Sequence, residues 1–247
     1  MWCGRLRRLA RRDADTIVED VRDSLVPVSI VIPALNEAAM IAASVTSALA
    51  TGPHEVIVVD GGSRDDTASL ARAAGAGVVV CPPGRAFQQN AGARAASGDV
   101  LLFLHADTRL AVDGLRQMEA ALTDAAVGCG AFRQAIEAEG WLYRLLERGN
   151  AWRAARRGLP YGDQGIFVRR ELFEEIGGFP RLKLMEDVFL MKRLRRRAWP
   201  VLLPGPLYVS ARRWQRRGVI RQTLRNWGLL VSAGLGVHPD RLARFYT

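Results

Sequence analysis

Long apolar runs are missing from this sequence, and cysteine is scarce. The longest apolar stretches, residues 100–104 and 228–237, are too short to span a bilayer. The three cysteines are odd in number and scattered, which favours a reducing compartment and argues against a disulfide framework or a zinc site. No secretory signal is evident, because residues 1–12 carry five arginines and no apolar block follows them. These absences predict a cytoplasmic protein without a membrane span.

Several familiar nucleotide motifs are also absent. The sequence contains neither a glycine-rich dinucleotide fingerprint nor a phosphate loop ending in Gly-Lys-Ser/Thr. An ordinary dehydrogenase and a P-loop enzyme are therefore excluded. An apolar content of 49% excludes a disordered chain and suits a domain with a proper core.

Acidic residues are scarce in the second half of the chain. Residues 1–139 hold 13 basic and 17 acidic side chains, whereas residues 140–247 hold 22 basic and 8 acidic ones, a net charge of +14. This asymmetry predicts an anionic partner for the C-terminal half, such as phosphates or an anionic membrane surface. Nucleic acid is not expected, because no recognised reader motif is present.

The apolar residues 100–104 predict a strand that is buried on both faces. The strand is followed by His105, Asp107 and Thr108, at the sheet edge where ligands of open α/β sheets bind. A carboxylate there, with a histidine two residues before it, can hold a hard cation against a phosphate. The alternative is that Asp107 or Thr108 only caps the next helix.

Strands and helices alternate through the first half of the chain, which predicts a parallel sheet with right-handed crossovers. Asn36 is expected to cap the first helix, and Ser63 with Asp66 resembles a capping box for the second. Strands are expected at 28–33, 55–60, 77–81, 99–104, 127–137, 166–168 and 200–208, and helices at 37–50, 63–74, 84–96, 113–122, 141–157, 171–176, 185–197 and 219–231. We expect an appendage at 1–24, a catalytic α/β domain at 25–214, and a basic amphipathic helical segment at 215–247.

Four motifs follow one another over about residues 28–214: Pro33-Ala-Leu-Asn-Glu37, Val59-Asp-Gly-Gly-Ser-Arg-Asp-Asp-Thr67, His105-Ala-Asp107 and Glu186-Asp187. Their order resembles glycosyltransferase family 2, whose members are inverting nucleotide-sugar enzymes with a GT-A fold. Leu104-His-Ala-Asp-Thr108, Tyr161-Gly-Asp-Gln-Gly165 and Ser210-Ala-Arg-Arg-Trp214 are similar to a bacterial subgroup named for its association with radical-SAM and selenium genes. The implied fold is a Rossmann-like, mostly parallel sheet flanked by helices, with a helical C-terminal elaboration.

The resemblance also implies a role for each matched residue. A nucleotide-diphospho-sugar donor, most simply a UDP-sugar, would contact Glu37 through its ribose and Asp60 through its base. Its diphosphate would contact Arg85 and the basic-aromatic segment 212–214. The implied donor-binding residues are Pro33, Asn36, Glu37, Asp60, Gly61, Arg85, Asp107, Arg212, Arg213 and Trp214. Capping roles for Glu37 and Asp60, and solvated surface positions for the arginines, are the alternatives.

The implied cation is Mg²⁺ or Mn²⁺, held by Asp107. His105 replaces the family's first aspartate, and it is a ligand suited to manganese, a hydrogen-bond donor to phosphate, or a structural residue. Asp187 would be the general base for the acceptor hydroxyl, with Glu186 beside it to position the acceptor or tune its neighbour. Asp163 and Gln164 would contact the acceptor.

Two other functions remain open at this point. A nucleotidyltransferase usually has a glycine-rich basic loop after its first strand, which residues 33–37 do not provide. A non-catalytic nucleotide-sugar-binding protein of the same fold is disfavoured by the retained acidic residues. The acceptor is unknown, and a lipid-linked one is a hypothesis. The basic, tryptophan-containing helix at 219–231 resembles an interfacial segment, which suggests peripheral contact with an anionic membrane at its cytoplasmic face. Packing of that helix on the catalytic domain is the alternative.

Overall fold

The computed structural model describes residues 26–245, and a mixed eight-stranded sheet lies at its centre. The strands are β1 (Val28–Ala34), β2 (Glu55–Asp60), β3 (Gly77–Val80), β4 (Val100–Phe103), β5 (Thr108–Leu110), β6 (Cys129–Glu137), β7 (Ile166–Arg169) and β8 (Val201–Ser210). Their spatial order is β3-β2-β1-β4-β7-β6-β8-β5.

Helices cover both faces of this sheet. They are α1 (Ile41–Leu49), α2 (Thr67–Ala73), α3 (Arg85–Ala95), α4 (Gly114–Leu122), α5 (Trp141–Arg157), α6 (Arg170–Glu175), α7 (Glu186–Leu194), α8 (Arg212–Arg217), α9 (Val219–Gly234) and α10 (Pro239–Leu242), with 3₁₀ turns at Gly162–Gln164 and Ala243–Phe245. None of the helices in residues 26–245 is long and apolar enough to cross a membrane.

The first four strands of the chain form the parallel half of the sheet. β1 pairs with β2 and with β4, and β2 pairs with β3, all in parallel. The side chains of β1 and β4 are buried on both faces except at Pro33, which explains their nearly continuous apolar sequence. The carboxyl ends of β1, β2 and β4 therefore meet at one edge, as the alternation of strands and helices predicts.

The second half of the sheet is mixed. β7 pairs antiparallel with β4 and β6, β5 pairs antiparallel with β8, and β6 pairs parallel with β8 across an irregularity between Phe132 and Gln134. The prediction of a mostly parallel sheet thus describes the strands at residues 28–103 correctly, whereas three of the strand pairs that involve later residues are antiparallel. The regular alternation of strand and helix that signals parallel crossovers stops at that point in the sequence.

Helix α3 lies very close to the parallel strands. A Cβ atom added at Gly92 would lie 2.9 Å from Cγ2 of Val59 and closer still to the side chain of Val31. Only glycine lets the helix backbone approach the sheet this closely. The packing fixes the start of α3, which carries Arg85, at the carboxyl edge of the strands.

Some local predictions are wrong. Helix α1 begins at Ile41 rather than near Glu37, and Asn36 does not cap it but lies outside the helix with a φ of +54°. Ser63 does not form a capping box, because its hydroxyl bonds to Asp60 and helix α2 begins at Thr67. Pro33 does not end the first strand, which continues to Ala34.

The predicted organisation of the chain into parts stays a prediction. The appendage at 1–24 lies outside the described residues. Strand β5 and helix α8 were not expected from the sequence, because each is a short segment of three to six residues. Helix α9 is three residues longer than the predicted 219–231.

Candidate active site

The carboxyl edge of β1 and β4 borders a cavity of about 300 Å³. Pro33, Glu37, Arg85, His105 and Asp107 contribute to its wall. Four of the five have polar or charged side chains, and they come from three separate stretches of sequence. Together with Arg213, which also lines it, this cavity collects half of the ten residues expected to bind the donor.

The two predicted nucleotide loops are tied to one another. The backbone N–H of Asn36 donates to Ser63 Oγ at 2.9 Å, and Asn36 Oδ1 accepts from the backbone N–H of Arg64 at 2.9 Å. Asp60 accepts from the backbone N–H groups of Gly62 and Ser63 at 3.2 and 3.1 Å and is almost fully buried. Asn36 and Asp60 therefore shape the loops, and neither lines the cavity.

Gln88 is a site residue that sequence reasoning missed. Its side-chain amide donates to the carbonyl oxygens of Ala34 and Val59 at 2.7 and 2.8 Å, where β1 and β2 end. A Cβ added at Gly61 would lie 3.1 Å from Gln88 Cδ. Gln88 lines the first cavity, and its side chain would have to shift to accommodate a side chain at Gly61. A polar residue on the sheet side of a predicted helix was the available signal.

Arg212 connects segments that are 175 residues apart in sequence at this edge. Its guanidinium donates to the carboxylate of Glu37 at 2.6 Å and reaches Asp107 Oδ2 at 3.5 Å. These contacts with Glu37 and Asp107 raise the pKa of Arg212 against the opposing effect of burial. A positive charge is thus already favoured between Glu37 and Asp107.

A second cavity of about 160 Å³ adjoins the first. His105, Asp107, Arg85, Leu184 and Arg213 line both cavities. The second cavity also has an acidic side, formed by Asp163 and Asp187, and an apolar side that includes Leu184, Met185, Val188, Trp214, Leu229 and Leu230. Trp214 packs edge-on against Tyr143 of α5 with ring centroids 6.5 Å apart.

Asp187 lies at the beginning of helix α7, where the helix dipole favours a negative charge. One carboxylate oxygen accepts from the backbone N–H of Gly162 at 2.6 Å, and the other accepts from the N–H of Val188 at 2.8 Å. Met185, which precedes the acidic pair, has a left-handed backbone with φ of +63°. Such a conformation is costly for a side-chain-bearing residue and is common at functional sites. It turns the chain so that Asp187 faces the second cavity.

Glu186 does not line that cavity. It is 1% exposed and faces Arg85, with 3.4 Å between Arg85 Nη1 and Glu186 Oε1. Burial raises the pKa of Glu186, and the neighbouring guanidinium of Arg85 partly opposes this. Glu186 therefore holds Arg85, which lines both cavities, across a separation of 101 residues.

Asp163 and Gln164 differ in their positions. Asp163 lines the second cavity, accepts from Gln134 Nε2 at 3.3 Å, and has a pKa raised by burial. Gln164 is fully buried, and its amide oxygen accepts from Arg153 and from the backbone N–H of Tyr161 at 2.9 and 3.2 Å. The structure brings Asp163 to the site, whereas Gln164 braces the loop that carries it.

His105 packs tightly against the same loop. Burial and the nearby Arg85 lower the pKa of His105 to about 3, so the ring is neutral near pH 7. Its Nε2 atom is buried and has no hydrogen-bond partner among the described residues. A Cβ added at Gly162 would lie 2.7 Å from His105 Nε2 and 3.2 Å from Asp187 Oδ2. Gly162 thus lets the histidine and the acidic residue approach the same point.

Comparison with known proteins assigns the family. The profile described as Glycosyl transferase family 2 matches residues 29–179, which is more than half of the chain. The chain belongs to glycosyltransferase family 2. The predicted family, enzyme class and GT-A fold are thereby confirmed. A sequence comparison with curated proteins gave no match.

Solved structures agree with the fold of this family 2 chain. TarS 1-349 from S. aureus superposes with a TM-score of 0.59 at 18% identity, over 75% of this chain and 60% of that one. Glucosyl-3-phosphoglycerate synthase from Mycobacterium tuberculosis, solved with Mn²⁺, UDP and glucosyl-3-phosphoglycerate, gives 0.55 at 24% identity, covering 81% and 76%. The mannosyltransferase PcManGT from Pyrobaculum calidifontis, solved with GDP-Man and Mn²⁺, gives 0.54 at 23% identity, covering 73% and 56%. The chain spans less than two thirds of the TarS structure.

Proposed function

We propose that the chain is an inverting glycosyltransferase that moves a sugar from a nucleotide-diphospho-sugar, a UDP-sugar in the first instance, to an acceptor hydroxyl. One observation carries this proposal: two adjoining cavities share Asp107 and Arg85, and Asp187 lies in the wall of the second. The first cavity suits the donor diphosphate and the second suits the acceptor. Structural relatives bound to UDP-GlcNAc and to GDP-Man support a nucleotide-sugar donor.

The proposed chemistry assigns proton removal to Asp187. Inversion needs a base that takes the proton of the acceptor hydroxyl as its oxygen attacks the anomeric carbon from the side opposite the leaving diphosphate. Gly162 N–H and Val188 N–H fix the carboxylate of Asp187 in orientation. Fixing a catalytic group in advance lowers the entropy cost of the reaction.

The leaving diphosphate would face arginine side chains. Arg85 lines both cavities and is held by buried Glu186, and Arg213 also lines both. Guanidinium groups bind phosphate oxygens well because their donors match phosphate geometry. We therefore assign Glu186 to holding Arg85, one step away from the acceptor contact that the sequence alone suggested.

A divalent cation at this site would take most of its ligands from the donor. The residues at 26–245 contain no group of three or more His, Cys, Asp or Glu that could hold a metal on its own. Asp107 is a single, nearly buried carboxylate next to both cavities, and Arg212 already places positive charge beside it. Magnesium and manganese accept one carboxylate with phosphate oxygens and waters, so Asp107 would hold Mg²⁺ or Mn²⁺. When bound, the ion would neutralise charge on the leaving diphosphate. His105 stays a second candidate ligand.

We also propose that the protein meets its acceptor as a peripheral protein at the cytoplasmic face of a membrane, with a lipid-linked acceptor as the first class to examine. The strong positive charge of residues 140–247 supports contact with an anionic leaflet.

The proposal is tested by incubating purified protein with UDP-glucose, UDP-N-acetylglucosamine and GDP-mannose in Mn²⁺ and measuring donor cleavage. Asp187→Asn keeps the size of the side chain but removes the base, so we expect turnover to fall by ~10²–10⁴-fold with nearly unchanged donor affinity. Asp124→Asn, in the turn after α4, is a matched control that should keep full turnover. Cleavage of none of the donors by the wild type, or unchanged turnover of the Asp187 variant, would contradict the proposal.

A further inference from the structure

An apolar groove of about 740 Å³ runs between helices α5 and α9. Leu142, Leu145, Leu146 and Trp152 of α5 form one wall, and Val219, Ile220, Leu224 and Trp227 of α9 form the other. The sequence predicts both segments as helices, but nothing in their spacing indicates that they lie side by side. The structure combines their apolar faces into one surface, which we call the two-helix groove.

The side chains of the two-helix groove are open to solvent. Leu145 is 57% exposed, Trp152 56%, Leu224 60% and Trp227 62%. The predicted alternative for the C-terminal helix, packing of these residues against the catalytic domain, is therefore wrong for Leu224 and Trp227. Single exposed apolar residues are ordinary, whereas a contiguous apolar patch with a polar rim marks an interaction surface.

The charge around the groove is almost entirely positive. Helix α5 carries five arginines and one glutamate, and residues 212–234 carry six arginines and no acidic residue. A second copy of the chain placed on the groove by two-fold symmetry would bring two such arginine-rich surfaces together, which electrostatic repulsion disfavours. The partner must instead combine apolar volume with negative charge.

The groove is also connected to the catalytic centre. Tyr161 lines both the groove and the second cavity, and the guanidinium of Arg153 lies 3.4 Å from the centroid of its ring. Arg157, which also lines the groove, lies 5.3 Å from the ring of Trp152. Tryptophan and arginine side by side on amphipathic helices are typical of segments that lie in the membrane interface.

We propose that the two-helix groove is a membrane-docking surface, in which the exposed leucines and tryptophans of α5 and α9 enter the acyl region of a leaflet while the surrounding arginines bind anionic lipid headgroups. This deepens the peripheral contact proposed above by naming the surface and its partner. The surface places the acceptor cavity, through Tyr161, next to the bilayer.

Vesicle binding tests the proposal without any need for turnover. Full-length protein is sedimented with vesicles of phosphatidylcholine alone or with a quarter of phosphatidylglycerol, at low and high salt. We expect binding to the anionic vesicles only, weakened by salt. Leu145→Ser with Leu224→Ser should reduce this binding at least about tenfold, because two apolar contacts are lost. Val112→Ser, at a residue that is 67% exposed and distant from the groove in sequence, should bind like the wild type.

Other measurements separate the remaining occupants of the groove. Light scattering should show a monomer, and a dimer that the double leucine variant dissociates would overturn the proposal. Equal vesicle binding by the wild type and the double leucine variant would also overturn it, because the arginines alone would then be responsible. Asp187→Asn should bind vesicles like the wild type, so a failed glycosyltransferase assay and a failed membrane assay remain distinguishable.

Discussion

Arg212 lies between two carboxylates that the donor and its cation are expected to use, so we expect it to compete with the cation. Its contact with Glu37 is partly buried, with 29% and 18% of the two side chains exposed, and the contact with Asp107 is longer at 3.5 Å. A buried charge-assisted hydrogen bond contributes ~1.5–3 kcal/mol, and the length of the Asp107 contact together with the partial exposure of Arg212 reduces this to about 1 kcal/mol at Asp107. Since 1.4 kcal/mol corresponds to a factor of about ten, Arg212→Gln should strengthen Mn²⁺ binding without nucleotide by about three- to tenfold.

The same substitution should weaken nucleotide binding. Once a diphosphate enters the first cavity, Arg212 can turn to its oxygens, and glutamine cannot replace that charge. We therefore expect Arg212→Gln to lower UDP affinity by about tenfold while it raises the affinity for manganese alone. Arg109→Gln is a matched control, because Arg109 pairs with Glu137 at an exposed surface position.

The assay is titration of Mn²⁺ followed by the paramagnetic resonance of the free ion, with and without UDP. Opposite shifts of the two affinities are the distinguishing result. A loss of manganese affinity in the absence of UDP would refute the competition, because Arg212 would then support the metal site instead of occupying it. Unchanged affinities would show either that Asp107 is not the cation ligand or that breaking the contact between Arg212 and Asp107 has no free-energy cost.

Three further substitutions test other parts of the structure. Asp107→Asn should abolish metal-dependent UDP binding with the unfolding temperature retained, and unchanged binding in a manganese titration would remove Asp107 from the site. Asp163→Asn should raise the free energy of unfolding at pH 7. Burial raises the pKa of Asp163 in the folded protein, so the folded state loses stability as the pH rises above the pKa of this carboxyl in the unfolded chain. In urea titrations the difference in unfolding free energy between variant and wild type should therefore vanish below about pH 4. Gly92→Ala should destabilise the protein by ~1–3 kcal/mol because α3 has no room for a methyl group. Gly149→Ala, with open space around it, should stabilise the protein by ~0.5–1 kcal/mol. Equal effects of the two substitutions in denaturant unfolding would contradict the close packing of α3.

The sequence allows the parallel half of the fold to be predicted well, because its strands are short apolar runs separated by helices. Residues 55–60 are a strand with the predicted limits, and the helix at 141–157 also has its predicted limits. The order of β5, β6 and β8 in the sheet could not be predicted. Those pairings depend on contacts between residues about 70 to 100 positions apart, which leave no local pattern.

The positions of side chains that follow directly from strand ends or helix starts could be predicted from the sequence, although their roles stay predictions. Asp107 and Asp187 are of this kind, and both line the second cavity. The orientation of Glu186 could not be foreseen, because its partner Arg85 is 101 residues away. Because Gln164 belongs to the motif at 161–165, it was expected to contact the acceptor. Its buried side chain instead accepts a hydrogen bond from Arg153 and supports the loop that carries Asp163. Neighbouring positions in a motif can therefore have different tasks.

The position of β8 inside the sheet has a consequence for synthesis of the chain on the ribosome. β8 separates β6 from β5, so residues 108–110 gain their sheet partner only when residues 207–209 have been made. Until then, β5 and one side of β6 are open edges, which pair readily with other chains. The nascent protein must keep these edges protected for about 100 residues of elongation. Arg212, which lies two residues after the end of β8, can reach Glu37 only after that closure, so the candidate site is completed late.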